Sequence, residues 1–312
     1  MEPPPTKDKN IRERDERRLL APLKGALAKQ VQAEYDFLPE LVRDEWAKIV
    51  WYSDKCGGKL IVFKAGNPYL PKEGKRKGND TLPEEEHEKQ RLANSLSRTK
   101  RCIYELAACN PWQWFFTGTL DGEKADRRNL NETFKRLSQW IRDYRKGQTG
   151  EKIKYLIIPE QHKDGAWHFH GLFYGLTENE LHKFDVSENI PARLKNTIAG
   201  GTPVWTWSAY AKRFGYSTIT SVRDEAAVAA YVTKYITKEM VVEKRGDDTG
   251  RHLYYASQGL KKAETAAESH LGVDYLPPCD YENDYLRITN IRTKDEARAL
   301  IARYGIKEEN AW

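Results

Sequence analysis

The sequence predicts an α+β fold in which a central, mainly antiparallel β-sheet is flanked by helices. Three observations carry that expectation. The runs Lys154 to Glu160 and Trp167 to Leu176 flank the turn dipeptide Asp164-Gly165 and read as a β-hairpin. The aromatic run Trp112 to Leu120 reads as a further strand. Apolar residues at helical spacing, first Leu92, Leu96, Ile103 and Leu106 and then Leu130, Phe134, Leu137, Ile141 and Tyr144, predict a helix on either side of that strand.

The remaining elements follow in chain order. Residues 1–30 are charged and proline-rich, with arginines interleaved with acids, and predict a disordered arm. Residues 31–110 form an N-terminal extension that holds the strand Gly58 to Phe63, the loop Lys72 to Pro83 with its basic knot, and a helix entered through Glu84 to Glu86. The main domain is expected over 111–260. Within it, residues 177 to 184 read as a short helix, 190 to 201 as a loop, 205 to 214 as a helix and 216 to 222 as a strand. A helix over 224 to 242 and a strand over 252 to 257 complete it. Residues 261–312 form a C-terminal extension with a linker, a strand at Leu286 to Ile291 and a helix at Asp295 to Tyr304.

Composition narrows the classes. The 312 residues carry 52 Lys and Arg against 46 Asp and Glu, a net charge of +6 that fits a polyanionic partner if the basic surface is local. No run approaches the ~18 apolar residues of a membrane span, and the start Met1-Glu-Pro-Pro-Pro is unlike a signal peptide, so no membrane partner and a cytoplasmic location are expected. Cys56, Cys102, Cys109 and Cys279 show no C-x-x-C spacing, which argues against a zinc knuckle. No phosphate loop of the G-x-x-x-x-G-K-[ST] kind occurs, so no nucleotide cofactor is expected.

The chemistry concentrates in two places. Side chains two apart on a strand share a face, so His168 and His170 present both imidazoles to one side, with Phe169 opposed. Glu160 joins that face only if the turn has an odd number of residues, as in a type I turn with a glycine bulge; a two-residue Asp164-Gly165 loop would set Glu160 opposite Phe169. The odd register is the expectation. Two imidazoles and a carboxylate suit Mg²⁺ or Mn²⁺ with open positions for phosphate oxygens; a pair of solvated strand histidines is the plainer alternative. His162, two residues after Glu160, is a reserve ligand or substrate contact, or simply an exposed histidine near the turn.

Tyr231 and Tyr235 lie four apart and stack on one helix face, with Lys234 and Lys238 in the adjoining row. A separate apolar row of Val228, Val232, Ile236 and Met240 would dock that helix on a sheet. A phenol with a pKa of about 10 needs cationic help to attack at neutral pH, which the two lysines would supply. Plain amphipathic packing is the alternative.

Together these residues resemble the HUH endonucleases, and within them the two-tyrosine replication initiators of small single-stranded DNA bacteriophages of the microvirus type. Phe116 to Leu120 looks like the family's first motif, His168-Phe-His170-Gly171 like the second, and Tyr231-Val-Thr-Lys-Tyr235-Ile-Thr-Lys238 like the third. The resemblance spans about Trp112 to Val242 and implies an HUH palm of ferredoxin-like or RRM-like form. It implies metal ligands His168, His170 and Glu160, and catalytic Tyr231, Tyr235, Lys234 and Lys238.

The activity so implied is metal-dependent nicking of single-stranded origin DNA, with a 5′-phosphotyrosine intermediate and rejoining, in rolling-circle replication. Its setting would be the bacterial host cytoplasm, with host helicase and DNA polymerase as partners. A plasmid replication protein, relaxase or two-tyrosine transposase would share this chemistry. A non-catalytic single-stranded DNA-binding protein would instead use Trp112, Trp114, Trp205 and Trp207 as stacking surfaces, unless these pack in the core.

Overall fold

A computed structural model describes residues 45–64, 84–148, 152–236, 252–272 and 276–308. The arm expected over 1–30, the basic loop before Pro83, Lys238 and Met240 lie outside the described residues. The chain divides into two compact units, one spanning 77–262 and the other drawing on the segments before and after it. Both are built on antiparallel sheets with helices beside them, an α+β fold as expected.

The chain opens with the hairpin β1 (Trp46–Ser53) and β2 (Gly57–Phe63). It then enters the 77–262 unit through helix α1 (Glu84–Ala108), whose first turn carries Glu84, Glu85 and Glu86 where the helix dipole favours them. There follow β3 (Trp114–Thr119), α2 (Leu130–Gly147), β4 (Lys154–Gln161) and β5 (Trp167–Tyr174). The Asn129 side chain starts α2 by accepting from the Glu132 backbone N–H. Next come β6 (His182–Lys183), α3 (Ala192–Ala199), β7 (Trp205–Thr206), α4 (Ser208–Arg213) and β8 (Ser217–Ser221). Helix α5 (Glu225–Val232) runs into a 3-10 turn at Thr233–Tyr235, and β9 (Tyr255–Ala256) closes the unit.

Beyond it, β10 (Glu264–His270), β11 (Tyr281–Glu282) and β12 (Leu286–Ile291) return to the first hairpin, and α6 (Lys294–Tyr304) follows. The five strands of that unit run in the order β10-β1-β2-β12-β11. The segments read from sequence as separate N- and C-terminal extensions therefore share one sheet and one core, which includes Ile49, Leu60, Ala267, Ile301 and Tyr304.

The larger sheet has the order β6-β7-β8-β3-β5-β4-β9, with the hairpin strands β4 and β5 beside β3. Its central strands β4 and β5 bury residues on both faces, Ile157 and Phe173 on one and Leu156, Ile158 and Leu172 on the other. Trp114 and Phe116 of β3, Trp167, Phe169 and Phe173 of β5 and Ile219 of β8 join Phe134, Leu137 and Ile141 of α2 and Tyr210 of α4 in one apolar core. Phe115, Thr117, Thr119, His168 and His170 occupy the intervening positions, on the other face. Trp112, Trp114, Trp205 and Trp207 are all buried, which removes them as stacking surfaces for bases. Among the described residues, no cysteine forms a disulfide and no helix is long and apolar enough to cross a membrane.

Several elements differ from the sequence reading. Residues 192–199 are helical rather than a loop, with Pro191 and Gly200 at the two caps. The expected linker after 260 contains β10, whose Ala-rich sequence has little strand propensity of its own but completes the edge of β1. Residues 205–214 split into β7 and α4, and 177–184 hold only the 3-10 turn Glu178–Glu180 before β6.

Gly118 shows how tightly the central strand is packed. A Cβ there would meet the Phe116 ring at 2.6 Å and the Tyr210 hydroxyl at 2.7 Å. Neither atom has room to move, because Phe116 and Tyr210 are 1% and 0% exposed. Gly118→Ala is expected to cost about 1–3 kcal/mol, the usual penalty for overpacking a dense core. Thermal unfolding followed by circular dichroism would read this as a lower Tm, and an unchanged Tm would show that the core yields.

Candidate active site

The hairpin turn sets the site's geometry. His162 N–H donates to the Ala166 carbonyl at 2.8 Å, and Gly165 N–H donates back to the His162 carbonyl at 2.9 Å. These bonds close a three-residue loop of Lys163, Asp164 and Gly165. Gly165 has φ +82°, a left-handed conformation that costs a residue with a side chain about 1 kcal/mol or more. The Asp164 carboxylate fixes the exit by accepting from Ala166 N–H at 3.1 Å. This is the odd-numbered turn, and the register that follows pairs Glu160 with His168 and Ile158 with His170. Glu160 thus stands on the histidine face.

On that face the side chains meet. Glu160 Oε2 lies 2.7 Å from His170 Nε2 and 3.9 Å from His162 Nε2. The ring of His162 lies flat on that of His168, with centroids 3.6 Å apart and planes 1° from parallel. From the next strand, Thr117 Oγ1 reaches His170 Nδ1 and Thr119 Oγ1 reaches His168 Nδ1, both at 3.3 Å. Neither threonine receives a role of its own from the sequence. Their signal was the T-x-T alternation, which faces H-x-H across an antiparallel pair residue for residue.

Both imidazoles are held neutral. Burial, with the neighbouring His162 and His170 adding to it, lowers the His168 pKa to about 4. Burial also lowers that of His170, although the Glu160 carboxylate works in the opposite direction. Neutral imidazoles with engaged Nδ1 atoms are the form in which histidine binds a metal through Nε2. The donor chemistry of Glu160, His168 and His170 therefore fits a divalent ion. As arranged in the structure, however, no group of three His, Cys, Asp or Glu side chains among the described residues is spaced to hold one, with the carboxylate bonded directly to His170.

The tyrosines approach from the helix. Asp224 starts α5 by accepting from Ala227 N–H at 2.9 Å, and the helix packs on α1, burying Ala229 and Val232. It docks on a helix rather than directly on a sheet as the apolar row suggested. The site face of the sheet is polar at Thr117, Thr119, His168 and His170, while Phe115, Leu156, Ile158 and Leu172 share it, the last three fully buried. After Val232 the backbone tightens into the 3-10 turn, which carries Lys234 and Tyr235.

Tyr235 lies flat on His170, with ring centroids 3.7 Å apart and planes at 8°. Its hydroxyl donates to the Tyr231 hydroxyl at 3.0 Å. Lys234 Nζ sits 3.4 Å from the Tyr231 ring centroid and 4.9 Å from that of Tyr235. Partial burial pushes the Tyr231 phenol up, but hydrogen bonds from Lys234 and Tyr235 outweigh it and hold the phenol below its ordinary range. Tyr235 goes the other way, raised by burial and by its bond to Tyr231. Of the residues singled out in the sequence, Glu160, His168, His170, Tyr231, Lys234 and Tyr235 converge, and His162 joins them.

Residues 113–240 match the family model for the replication-associated protein ORF2. The matched segment runs from the residue before β3 through both histidines and both tyrosines. It supports a family of rolling-circle replication initiators and a role in DNA replication. No curated protein and no solved structure matches the chain.

The His168 environment makes a titration behaviour checkable. In the unfolded chain this imidazole protonates near its ordinary 6.5, and in the folded protein only near 4. The unfolded state therefore binds more protons between these values, and stability falls as pH drops through that window. Proton NMR of the metal-free protein is expected to show the His168 ring neutral at pH 5.5. The decline in Tm from pH 7 to pH 4.5 should be smaller in His168→Asn, and a wild-type ring titrating near 6.5 would contradict the burial that the structure shows.

Proposed function

We propose that the chain initiates rolling-circle DNA replication by nicking single-stranded origin DNA through a tyrosine nucleophile. The observation that carries this reading is the direct contact between the two clusters. The ring of Tyr235 stacks on His170, whose Nε2 faces Glu160, so a phenol pair lies against an imidazole and carboxylate pair on one sheet face. The match to replication-associated proteins over the same segment supports it, and favours a replication protein over a transposase.

Glu160, His168 and His170 would hold a divalent ion, Mg²⁺ or Mn²⁺, which when bound supplies Lewis-acid polarisation of the scissile phosphate. The chain's own groups do the rest. Thr117 and Thr119 orient the imidazoles through Nδ1, and burial favours the neutral form of both rings. Lys234 and the hydrogen bond between the phenols favour the tyrosinate, and a phenolate oxygen attacks phosphorus. The P–O3′ bond breaks, the 3′ oxygen takes up a proton, and the 5′ side of the strand remains esterified to tyrosine. Because the phosphodiester is exchanged rather than hydrolysed, the strand can be rejoined without a nucleotide cofactor. The free 3′-OH would prime a host DNA polymerase, and a host helicase would unwind, in the bacterial cytoplasm.

The test is covalent capture. Incubated with single-stranded DNA and Mn²⁺, the protein is expected to form an adduct that survives denaturing electrophoresis. Adduct yield should fall at least about 10³-fold in the Tyr231→Phe, Tyr235→Phe double variant and about 10²-fold or more in His170→Ala. Full adduct formation in the double variant would exclude Tyr231 and Tyr235 as the nucleophiles, and full activity in excess chelator would exclude the metal.

A further inference from the structure

We propose that the two tyrosines are unequal by construction: Tyr231 forms the first bond to DNA, while Tyr235 serves that step as the hydrogen-bond donor that positions the Tyr231 oxygen. The inference rests on the tyrosine-nucleophile reading above and assigns the order that the sequence leaves open, since both residues sit in the same Tyr-x-x-x-Tyr spacing.

Access separates them. Tyr231 is 44% exposed and Tyr235 is 7% exposed, although they are one turn apart. Tyr231 also lines an open cavity of about 290 Å³ with Phe115, Thr220, Val222 and Val228, which Tyr235 does not reach. The Tyr235 ring has one face against His170, and its hydroxyl is spent on Tyr231. For Tyr235 to attack first it would have to break that hydrogen bond and expose its oxygen from a buried position.

The contacts that activate a phenol also fall unevenly. Lys234 Nζ is closer to the Tyr231 ring than to the Tyr235 ring, at 3.4 against 4.9 Å. The hydroxyl bond runs from Tyr235 to Tyr231, so Tyr231 is the acceptor. An accepting oxygen gains from that bond as negative charge builds on it, and a donating oxygen would lose by it. In the first transfer the Tyr231 proton leaves to water on the exposed side and the Tyr231 oxygen bonds to phosphorus. The P–O3′ bond breaks, and the 3′ oxygen is protonated from water. Once esterified, the Tyr231 oxygen is a poorer acceptor, which frees the Tyr235 hydroxyl for a later transfer.

Trypsin cuts after Lys234 and so places the tyrosines on different peptides, one ending at Lys234 and the other running from Tyr235 to Lys238. The full-length protein would be mixed with a pool of random-sequence single-stranded oligonucleotides and Mn²⁺, quenched within one turnover, digested, and mapped by mass spectrometry. The nucleotide is expected on the Tyr231 peptide in about tenfold excess or more. Tyr235→Phe keeps the ring and loses the donor. It should slow single-turnover adduct formation about tenfold at saturating DNA, the effect of one hydrogen bond to a charged group. Its half-saturating DNA concentration should stay within about twofold of wild type, and the adduct should remain on Tyr231. A wild-type adduct on the Tyr235 peptide, or split evenly, overturns the order; an unchanged rate in Tyr235→Phe, or a loss confined to DNA affinity, overturns the donor role. Absence of any adduct from the wild-type protein would instead refute the nuclease reading, and the order with it.

Discussion

The register of the β4–β5 hairpin is the constraint on which the site depends. Side chains alternate along a strand, so a slip of one residue would send Glu160 to the core face while His168 and His170 kept the other. The three-residue loop prevents this. Its left-handed Gly165 and the Asp164 carboxylate on Ala166 N–H fix the number of residues between the strands, and with it the pairing of Glu160 with His168. Once that pairing is set, β3 adds its threonines without further adjustment, because Thr117 and Thr119 pair with His170 and His168 in the same ladder. The fold supplies the geometry and leaves only rotamers to be chosen.

Much of this was legible in the sequence, for physical reasons that differ by element. The hairpin, β12, α1, α2 and α6 carry strong periodicity and clear stop signals, and the structure finds them near their expected bounds. The odd turn could be argued because parity leaves two outcomes, and only one puts three polar groups on one face. What could not be read are elements whose stability comes from elsewhere in the chain. Strand β10 has a weak strand sequence and forms against β1, more than two hundred residues earlier. Helix α3 is only eight residues long and buries none of them, so it leaves little apolar periodicity to read.

The threonines illustrate a different blindness. Thr117 and Thr119 were visible as an alternation on an aromatic strand, but nothing local says that β3 lies beside β5 rather than at an edge. Pairing between strands separated by some fifty residues is a tertiary fact, and the hold that such pairing gives the threonines on the imidazoles becomes visible only with the sheet order. The same is true of the contact between His170 and Tyr235, which joins β5 to the turn after α5.

That turn also explains why four-residue spacing does not yield two equivalent tyrosines. In a continuing α-helix, residues four apart lie about 40° from one another around the axis and would present similar faces to solvent. Here the helix ends at Val232 and the next three residues follow the tighter 3-10 path, while Val232 and Ile236 are anchored in the interior at 0% and 1% exposure. The tightening carries the Tyr235 ring onto His170 and leaves Tyr231 on the exposed side, with the two hydroxyls still bonded to each other. A pair that looks symmetric in sequence is thereby given a direction, from a buried donor to an exposed acceptor. The direction arises from where the backbone changes pitch, since the residue types are identical.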